Sequence, residues 1–246
     1  MTKEISKQWS IILAVFIFTL GIVISTYTLA NSLIEVKGSR VLTVTGSAKK
    51  QITSDLIVWQ GTFSSQSSSM QEAYTLLENS QKKVKAYLLK NGVNEKEIVM
   101  NAIYSTPIYE VNFNGVSTNN VIAYRLSQNV EIKSSDIDAV TTISRNATTL
   151  INDGVDFQSL QPQYFYTKLS DLKINMIAEA TKDAKLRAEQ IAINTGGKVG
   201  KIKSAKMGVF QITPLYSTEI SDAGMFDTYS LEKEITSVVT CQFEIE

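Results

Sequence analysis

Apolar and polar side chains alternate along several segments of the chain, which is the pattern of β-strands with one buried face. In the clearest segment, residues 121–132, the alternating positions are Ile122, Tyr124, Leu126, Val130 and Ile132. Similar segments predict further strands over residues 40–50, 52–65, 98–111, 157–167, 199–212 and 235–245. Asn114-Gly115 lies between two of these segments, so we expect 98–111 and 121–132 to form a hairpin.

Three other segments repeat their apolar residues every three or four positions, and they predict amphipathic helices over 70–90, 136–152 and 171–195. A capping box formed by Ser69 and Glu72 is expected to start the first helix. The apolar face of that helix is expected to comprise Met70, Ala73, Tyr74, Leu77, Val84 and Leu88.

The third predicted helix carries four alanines in i, i+4 register, namely Ala180, Ala184, Ala188 and Ala192. Small side chains in a row allow another backbone to approach closely. This stripe either packs on the protein's own sheet or forms an assembly surface, and the first interpretation is favoured.

The order of these elements favours an α+β fold, because the helices are too few to cover both faces of a parallel sheet. We expect a mainly antiparallel sheet with about three helices on one face. Residues 40–246 are assigned to this domain, and the polar stretch 214–233 is expected to be a loop within it.

The N-terminal region predicts a transmembrane helix ahead of this domain. No charged side chain occurs between Gln8 and Ile34, and the most apolar part runs from Trp9 to Leu29. About 20 such residues span a bilayer as a helix. Lys3 and Lys7 precede the segment, so the positive-inside rule keeps the N-terminus in the cytoplasm and places the domain outside.

A cleaved signal peptide is the alternative interpretation of residues 1–31. Thr28-Leu29-Ala30 offers the small residues that a signal peptidase recognises, which would release a secreted domain at Asn31. The apolar segment is longer than a usual signal sequence, so a retained anchor is favoured. Residues 32–39 are then a short stalk, and the domain is periplasmic or on the cell surface.

Composition excludes several kinds of chemistry. There is no histidine, which removes Ser-His-Asp and Cys-His nucleophile systems and zinc sites built on imidazole. One cysteine allows no internal disulfide and no cysteine metal cluster. Lys+Arg and Asp+Glu number 24 each, which argues against a nucleic-acid partner. We therefore expect no catalytic residue, no cofactor and no metal site.

The remaining candidate residues are expected to be structural. The glycine-rich run 196–200 follows a predicted helix and precedes a strand, so it is a helix cap instead of a phosphate loop. Cys241 falls in the apolar alternation of the last strand and is expected to be a buried thiol. Asp55, Glu110 and Glu131 are scattered acids that form no recognisable catalytic pair.

Exposed aromatic residues are the main candidates for contact with a partner. One set lies in the predicted hairpin and a second in a later strand: Tyr104, Tyr109, Phe113 and Tyr124, then Tyr164, Phe165 and Tyr166. Alternate members of each set are expected in the core, and the others are available for an assembly contact. The pairs Lys49-Lys50 and Lys82-Lys83 are expected on solvated surfaces.

Several motifs in a consistent order resemble the SIMPL domain family of bacterial envelope proteins. They are 41–48 (VLTVTGSA), 54–56 (SDL), 88–93 (LLKNGV), 104–109 (YSTPIY), 123–126 (AYRL) and 180–189 (ATKDAKLRAE), followed by 196–200 (GGKVG). Ser54 stands where the family often has proline. The resemblance implies a periplasmic or cell-surface α+β domain. It also implies that some relatives are stress-associated and that some form ring-like or channel-like homo-oligomers. It implies no catalytic site.

Three functions remain open at this point. The first is a membrane-anchored, extracytoplasmic structural or binding module that self-associates, with a link to stress defence implied by the resemblance alone. The second is an envelope sensor for a small ligand. The third is a hydrolase that depends on carboxylates or a metal, and it is the least favoured because the acids form no pair.

Overall fold

The computed structural model describes residues 16–30 and 41–246. Residues 16–30 form helix α1. The other helices are α2 (Met70–Lys90), α3 (Ile137–Asn146) and α4 (Leu169–Asn194), with 3-10 turns at Glu95–Glu97 and Ala147–Asp153. The strands are β1 (Val41–Thr53), β2 (Leu56–Ser67), β3 (Ile98–Val111), β4 (Ser117–Ser134), β5 (Asp156–Ser159), β6 (Gln163–Phe165), β7 (Val199–Met207), β8 (Gln211–Pro214), β9 (Met225–Phe226) and β10 (Glu232–Ile245).

The strands form two five-stranded sheets, so the expected α+β class with mainly antiparallel pairing is confirmed. One sheet has the order β3-β4-β2-β5, and β6 also pairs with β2. The other has the order β1-β10-β8-β9, and β7 also pairs with β10. Strands β8 and β9 pair in parallel, whereas β2, β3 and β4 pair antiparallel with one another, as do β10 and its neighbours β7 and β8. The single predicted sheet is thus replaced by two.

The chain divides into two compact units. The first comprises the residues up to Ser47 together with 179–208 and 238–246, and the second comprises 48–178 and 209–237. In the first unit Gly46 on β1 lies against the backbone of Ala180 and Ala184. All four alanines of the stripe are at most 1% exposed, as expected for packing on the protein's own strands.

In the second unit α2 and α3 cover one face of the sheet built on β2 and β4. Alternate residues of β2 point into this core, where Ile57, Trp59 and Phe63 are at most 1% exposed. Residues such as Gln60 and Thr62 lie on the opposite, polar face, where they donate hydrogen bonds to Glu131 and Asn129 of β4. This division explains why period-2 segments predicted the strands well.

The start of α2 differs from the prediction. Ser69 is the N-cap residue, but its side chain makes no capping hydrogen bond. The Ser67 hydroxyl donates a hydrogen bond to the Glu72 carboxylate at 2.6 Å. Glu72, the predicted partner of Ser69 in the capping box, is therefore bound to Ser67. A capping box forms instead at Asn94, ahead of a 3-10 turn. Met70 and Tyr74, predicted on the apolar face of α2, are about half exposed (47% and 52%).

Several segments that the sequence predicts as one element form two elements in the structure. The strand predicted at 157–167 is two short strands, β5 and β6, and the one predicted at 199–212 is β7 followed by β8. The helix predicted at 136–152 changes at Ala147 into a 3-10 turn that Gly154 ends with φ +77°. The predicted loop 214–233 contains the short strand β9.

The predicted membrane segment and stalk lie partly or wholly outside the described residues. Within residues 16–30 and 41–246, no helix combines the length and apolar character needed to cross a bilayer. In helix α1 every residue is exposed, and its large apolar side chains are Phe16, Ile17, Phe18, Leu20, Ile22, Val23, Ile24, Tyr27 and Leu29.

Candidate functional site

A two-stranded arm extends from the sheet of the second unit. Strand β2 pairs with β4 from Ser134 only as far as Tyr124, whereas β3 and β4 continue to pair up to Val111 and Ser117. Residues 108–123 therefore have no third strand beside them, and we refer to them as the arm. An isolated two-stranded hairpin is marginally stable in water, so the arm depends for its stability on the sheet from which it extends.

The arm is apolar and carries almost no charge. Its large exposed side chains are Tyr109 (43%), Val111 (59%), Phe113 (98%), Val116 (59%), Val121 (37%) and Ile122 (50%). Glu110 is the one charged residue in the sequence from 101 to 123, and its carboxylate accepts a hydrogen bond from Asn120. Exposed apolar side chains grouped in this way make the arm a candidate interaction surface.

The tip of the arm is a tightly hydrogen-bonded turn that presents Phe113. The Asn112 side-chain oxygen accepts hydrogen bonds from the backbone amides of Asn114 and Val116, both at 3.0 Å. Gly115 adopts φ +79°, which a residue with a Cβ rarely adopts. The turn thus fixes the backbone on both sides of an almost fully exposed phenylalanine.

Strand β3, the outer strand of the arm, has features that oppose the addition of another strand. Strand β3 is at the edge of its sheet, and Pro107 removes one backbone donor from it. Register shifts interrupt its pairing with β4 at three places, two of which lie between Ile108 and Val111. Such bulges twist an edge away from further pairing, so contact through the side-chain faces of the arm is favoured.

The first unit carries an apolar groove of its own. Strand β1 is the edge strand of its sheet, and the groove of about 570 Å³ lies between its first residues and α4. The lining residues are Thr43, Val44, Thr45, Leu186, Arg187, Gln190 and Ile191. Leu186 and Ile191 are 52% and 44% exposed. Arg187 supplies a positive charge, which an ion pair to Asp183 at 2.9 Å holds in place.

The aromatic residues singled out from the sequence separate into exposed and packed groups. Tyr104, at the base of the arm, is 65% exposed, and Tyr109 and Phe113 are exposed on it. Tyr124 packs against the core of the second unit. Tyr164 also packs there, and its hydroxyl lies 3.1 Å from the Thr141 hydroxyl.

The acidic residues have structural partners. Asp55 accepts hydrogen bonds from the amide and hydroxyl of Thr167, which tie β2 to the segment after β6. Hydrogen bonds from Lys133 and then Gln60 lower the pKa of Glu131. Within the described parts of the chain, no group of three acids or thiols is placed to hold a metal ion.

Asp183 is the acid of the first unit with a perturbed pKa. The backbone amide of Ser47 donates to it at 2.8 Å, and this bond, followed by the Arg187 guanidinium, lowers its pKa. The carboxylate therefore stays ionised and joins α4 to β1 beside the groove.

The glycine run and the cysteine are structural, as the sequence indicated. Gly196 has φ +77°, and the amide of Gly197 donates to the Ala192 carbonyl at the end of α4. Cys241 is fully buried in β10, and burial raises the pKa of its thiol. Lys49 pairs with Glu234 at 2.8 Å and Lys82 with Glu78 at 3.4 Å, both at the surface.

The comparison with protein families decides the assignment. The model of SIMPL, described as a "Protein of unknown function (DUF541)", matches residues 42–243. The chain belongs to the SIMPL family. The match runs from β1 to β10 and so includes the arm and the groove. SIMPL is not a known enzyme family, and its description names no activity.

Two further comparisons add no argument about the activity of the SIMPL chain. No curated protein matches it. Among solved structures, a hydantoinase/carbamoylase family amidase from Burkholderia ambifaria matches with 15% identity. The match covers 52% of the SIMPL chain and 30% of the amidase, with a TM-score of 0.26, which is too low to support an argument about fold or activity.

Two features of the SIMPL domain escaped the sequence reasoning. Lys233 is 2% exposed, and its ammonium donates to the backbone carbonyls of Tyr164 and Asp227 at 2.5 and 2.7 Å. A cleft of about 300 Å³ lies where β2 passes from β5 to β6. Its lining residues are Val58, Gln60, Leu160, Gln161, Gln163 and Tyr229. The three glutamines come from β2, from β6 and from the short loop that precedes β6, so no periodic pattern in the sequence connects them.

Proposed function

We propose that this SIMPL protein is a membrane-anchored, extracytoplasmic module of the cell envelope that self-associates through its arm. The charge-free segment from Gln8 to Ile34, with Lys3 and Lys7 before it, supports the anchor and its orientation. The exposure of every residue in α1 also favours a lipid environment, because nine large apolar side chains are left without protein contacts that would bury them.

The observation that carries self-association is the exposed apolar arm. Six large apolar side chains are exposed on 16 residues that have no third strand to cover them. A chain that remained a monomer would gain from charged residues at this position, since they blunt an exposed hairpin. The sequence has only Glu110 there.

A second copy of the chain is the partner that the surfaces favour. The groove beside β1 offers Leu186, Ile191 and Val44 to apolar side chains of the arm. The one charge of the arm is the Glu110 carboxylate, and Arg187 of the groove, which binds Asp183 through its Nε, has further N–H donors that suit this carboxylate. An arm-to-groove contact is heterologous and therefore builds closed rings when the rotation between copies closes.

The experiment is light scattering on the full-length protein in detergent micelles over a range of protein concentrations. We expect a protein mass of several chains for the wild type. The double variant Val111→Ser, Phe113→Ser should weaken association by about tenfold per lost side chain, because each loses roughly 1.4 kcal/mol or more of apolar contact. Ile220→Ser, which alters an 83% exposed residue outside the arm, is the matched control.

A charge exchange separates the arm-to-groove contact from association through the anchor. Glu110→Arg and Arg187→Glu should each weaken assembly, and the double variant should recover it. A wild-type protein that is monomeric at all concentrations would overturn self-association. Arm variants with wild-type mass would overturn the role of the arm.

A further inference from the structure

We propose that the cleft beside β6 is a binding site for an uncharged saccharide. The cleft is entirely within the second unit and is separate from the arm and the groove. The inference does not depend on self-association. The cleft has an uncharged polar lining, carboxamides that are available to a ligand, and an exposed aromatic ring.

The lining of the cleft is polar but uncharged. Three glutamines contribute carboxamides, each of which carries two N–H donors and an acceptor oxygen. No acidic or basic residue is among the lining residues. A charged ligand would lose hydration there without a compensating charge, so a neutral ligand rich in hydrogen-bonding groups fits best.

The carboxamides are available for a ligand. Among the described residues, the side chains of Gln161 and Gln163 have no hydrogen-bond partner in the chain. The side-chain amide of Gln60 donates to the Glu131 carboxylate at 2.7 Å, and this bond leaves the side-chain oxygen of Gln60 as an acceptor for a ligand. The Lys133 ammonium forms an ion pair with the same Glu131 carboxylate at 2.7 Å, and this pair holds the carboxylate in position.

Tyr229 supplies an aromatic surface at the same cleft. Its side chain is 54% exposed, and its backbone amide donates to the Asp227 side chain at 2.9 Å. Asp227 is itself held by Lys233, whose ammonium donates to the Asp227 carbonyl. A half-exposed ring on a fixed backbone is suited to stack on the apolar face of a sugar ring while its hydroxyl binds a sugar hydroxyl.

A peptide is disfavoured because the backbone of the cleft is already paired. Val58 pairs with Gln163, and the Gln60 carbonyl accepts a hydrogen bond from the Leu160 amide at 3.0 Å. The edge of β2 is therefore occupied here, and a peptide cannot add to that strand at this position. A ligand is therefore bound through the side chains of the cleft, whose carboxamides and tyrosine suit a ring that carries hydroxyl groups. A cleft of about 300 Å³ has the volume for one or two such rings.

The test uses the full-length protein in lipid nanodiscs, so that no sugar-headed detergent competes for the cleft. The probes are the β-1,4-linked trisaccharides of N-acetylglucosamine and of glucose, with N-acetyl-trialanine amide as the peptide probe. Binding is followed by saturation-transfer NMR and by titration calorimetry. We expect at least one trisaccharide to bind and the peptide not to bind.

Variants locate the binding. Tyr229→Ala and Gln163→Ala should each weaken saccharide binding by about tenfold, which corresponds to about 1.4 kcal/mol. Tyr74→Ala is the matched control, because Tyr74 is 52% exposed on α2 and does not line the cleft. Gln161→Ala replaces either cleft variant whose thermal unfolding shows a loss of folding.

Three results would overturn the proposal. The first is that neither trisaccharide binds. The second is equal binding by the wild type and all cleft variants, which would place the sugar elsewhere. The third is binding of the peptide probe in preference to both sugars, which would assign the cleft to peptide amides.

Discussion

Lys233 is almost completely buried although lysine is a residue that seldom leaves water. Burial lowers the pKa of its ammonium, and the opposing effect of Asp227 is smaller. A neutral amine still has two N–H donors, which is enough for the two carbonyls that it binds. The side chain therefore joins the segments that carry Tyr164 and Asp227 to β10 in either protonation state.

Replacement of this lysine is expected to destabilise the second unit. Lys233→Met leaves two buried carbonyls without a donor and should lower the free energy of unfolding by about 1–3 kcal/mol. The measurement is urea unfolding, with Lys82→Met as a control at an exposed position. A loss no larger than that of the control would contradict the role assigned to the two hydrogen bonds.

The pH dependence follows from the direction of the pKa shift of Lys233. Between its lowered pKa and the ordinary value of 10.5, the unfolded chain binds more protons than the folded one. The contribution of Lys233 to the free energy of unfolding therefore rises with pH in that window. Lys233→Met lacks this group, so its deficit should grow as the pH approaches 10.5 from below. Parallel curves for the two proteins would contradict this expectation.

At the scale of elements, the packing of α4 on β1 depends on one glycine and the alanine stripe. A Cβ built at Gly46 would overlap the carbonyl oxygen of Ala180 and lie 2.7 Å from the Cα of Ala184. Both neighbours are backbone atoms of a helix, which cannot move aside as the end of a flexible side chain can. The close approach therefore needs small residues on both elements.

Gly46→Ala is expected to lower the free energy of unfolding by about 1–3 kcal/mol or more, since α4 must move away from β1. Ser47→Ala, at the next position, keeps the backbone amide that binds Asp183 and should have little effect. Thermal unfolding of both variants measures the difference. Equal midpoints would show that β1 and α4 are less closely packed than the structure indicates.

At the scale of the whole molecule, the single buried cysteine allows a clean test of topology. Cys241 is fully buried, so the native protein should react little with a membrane-impermeant maleimide. Ile220→Cys places a thiol at an 83% exposed position outside the arm, and Ser6→Cys places one before the apolar segment without removing Lys3 or Lys7.

We expect Ile220→Cys to be labelled in intact cells, and Ser6→Cys only after lysis, because the domain is proposed to lie outside the cytoplasm. The readout is the mass of the labelled protein. Labelling of Ile220→Cys only after lysis would reverse the proposed orientation. The wild type, labelled after unfolding, controls for the reactivity of Cys241.

The sequence predicted the elements with a strict period but not those built from short segments. In strand β10 the sequence predicts one face of Ile235, Val239, Cys241, Phe243 and Ile245; the first four are buried and Ile245 is partly exposed. β5 and β6 are four and three residues long, which is too short for alternation to distinguish two strands from one. The cleft forms where these two strands separate, so it was not predictable either.

The sequence by itself determined the α+β class, the helix cap at Gly196 and the burial of Cys241, because each depends on periodicity or on local backbone geometry. The tertiary structure decided which aromatic residues are exposed, since that depends on where β2 stops pairing with β4 at Tyr124. It also decided the burial of Lys233, whose carbonyl partners come from two other segments. Contacts between residues far apart in the chain leave no periodic pattern, and they are what formed the arm and the cleft.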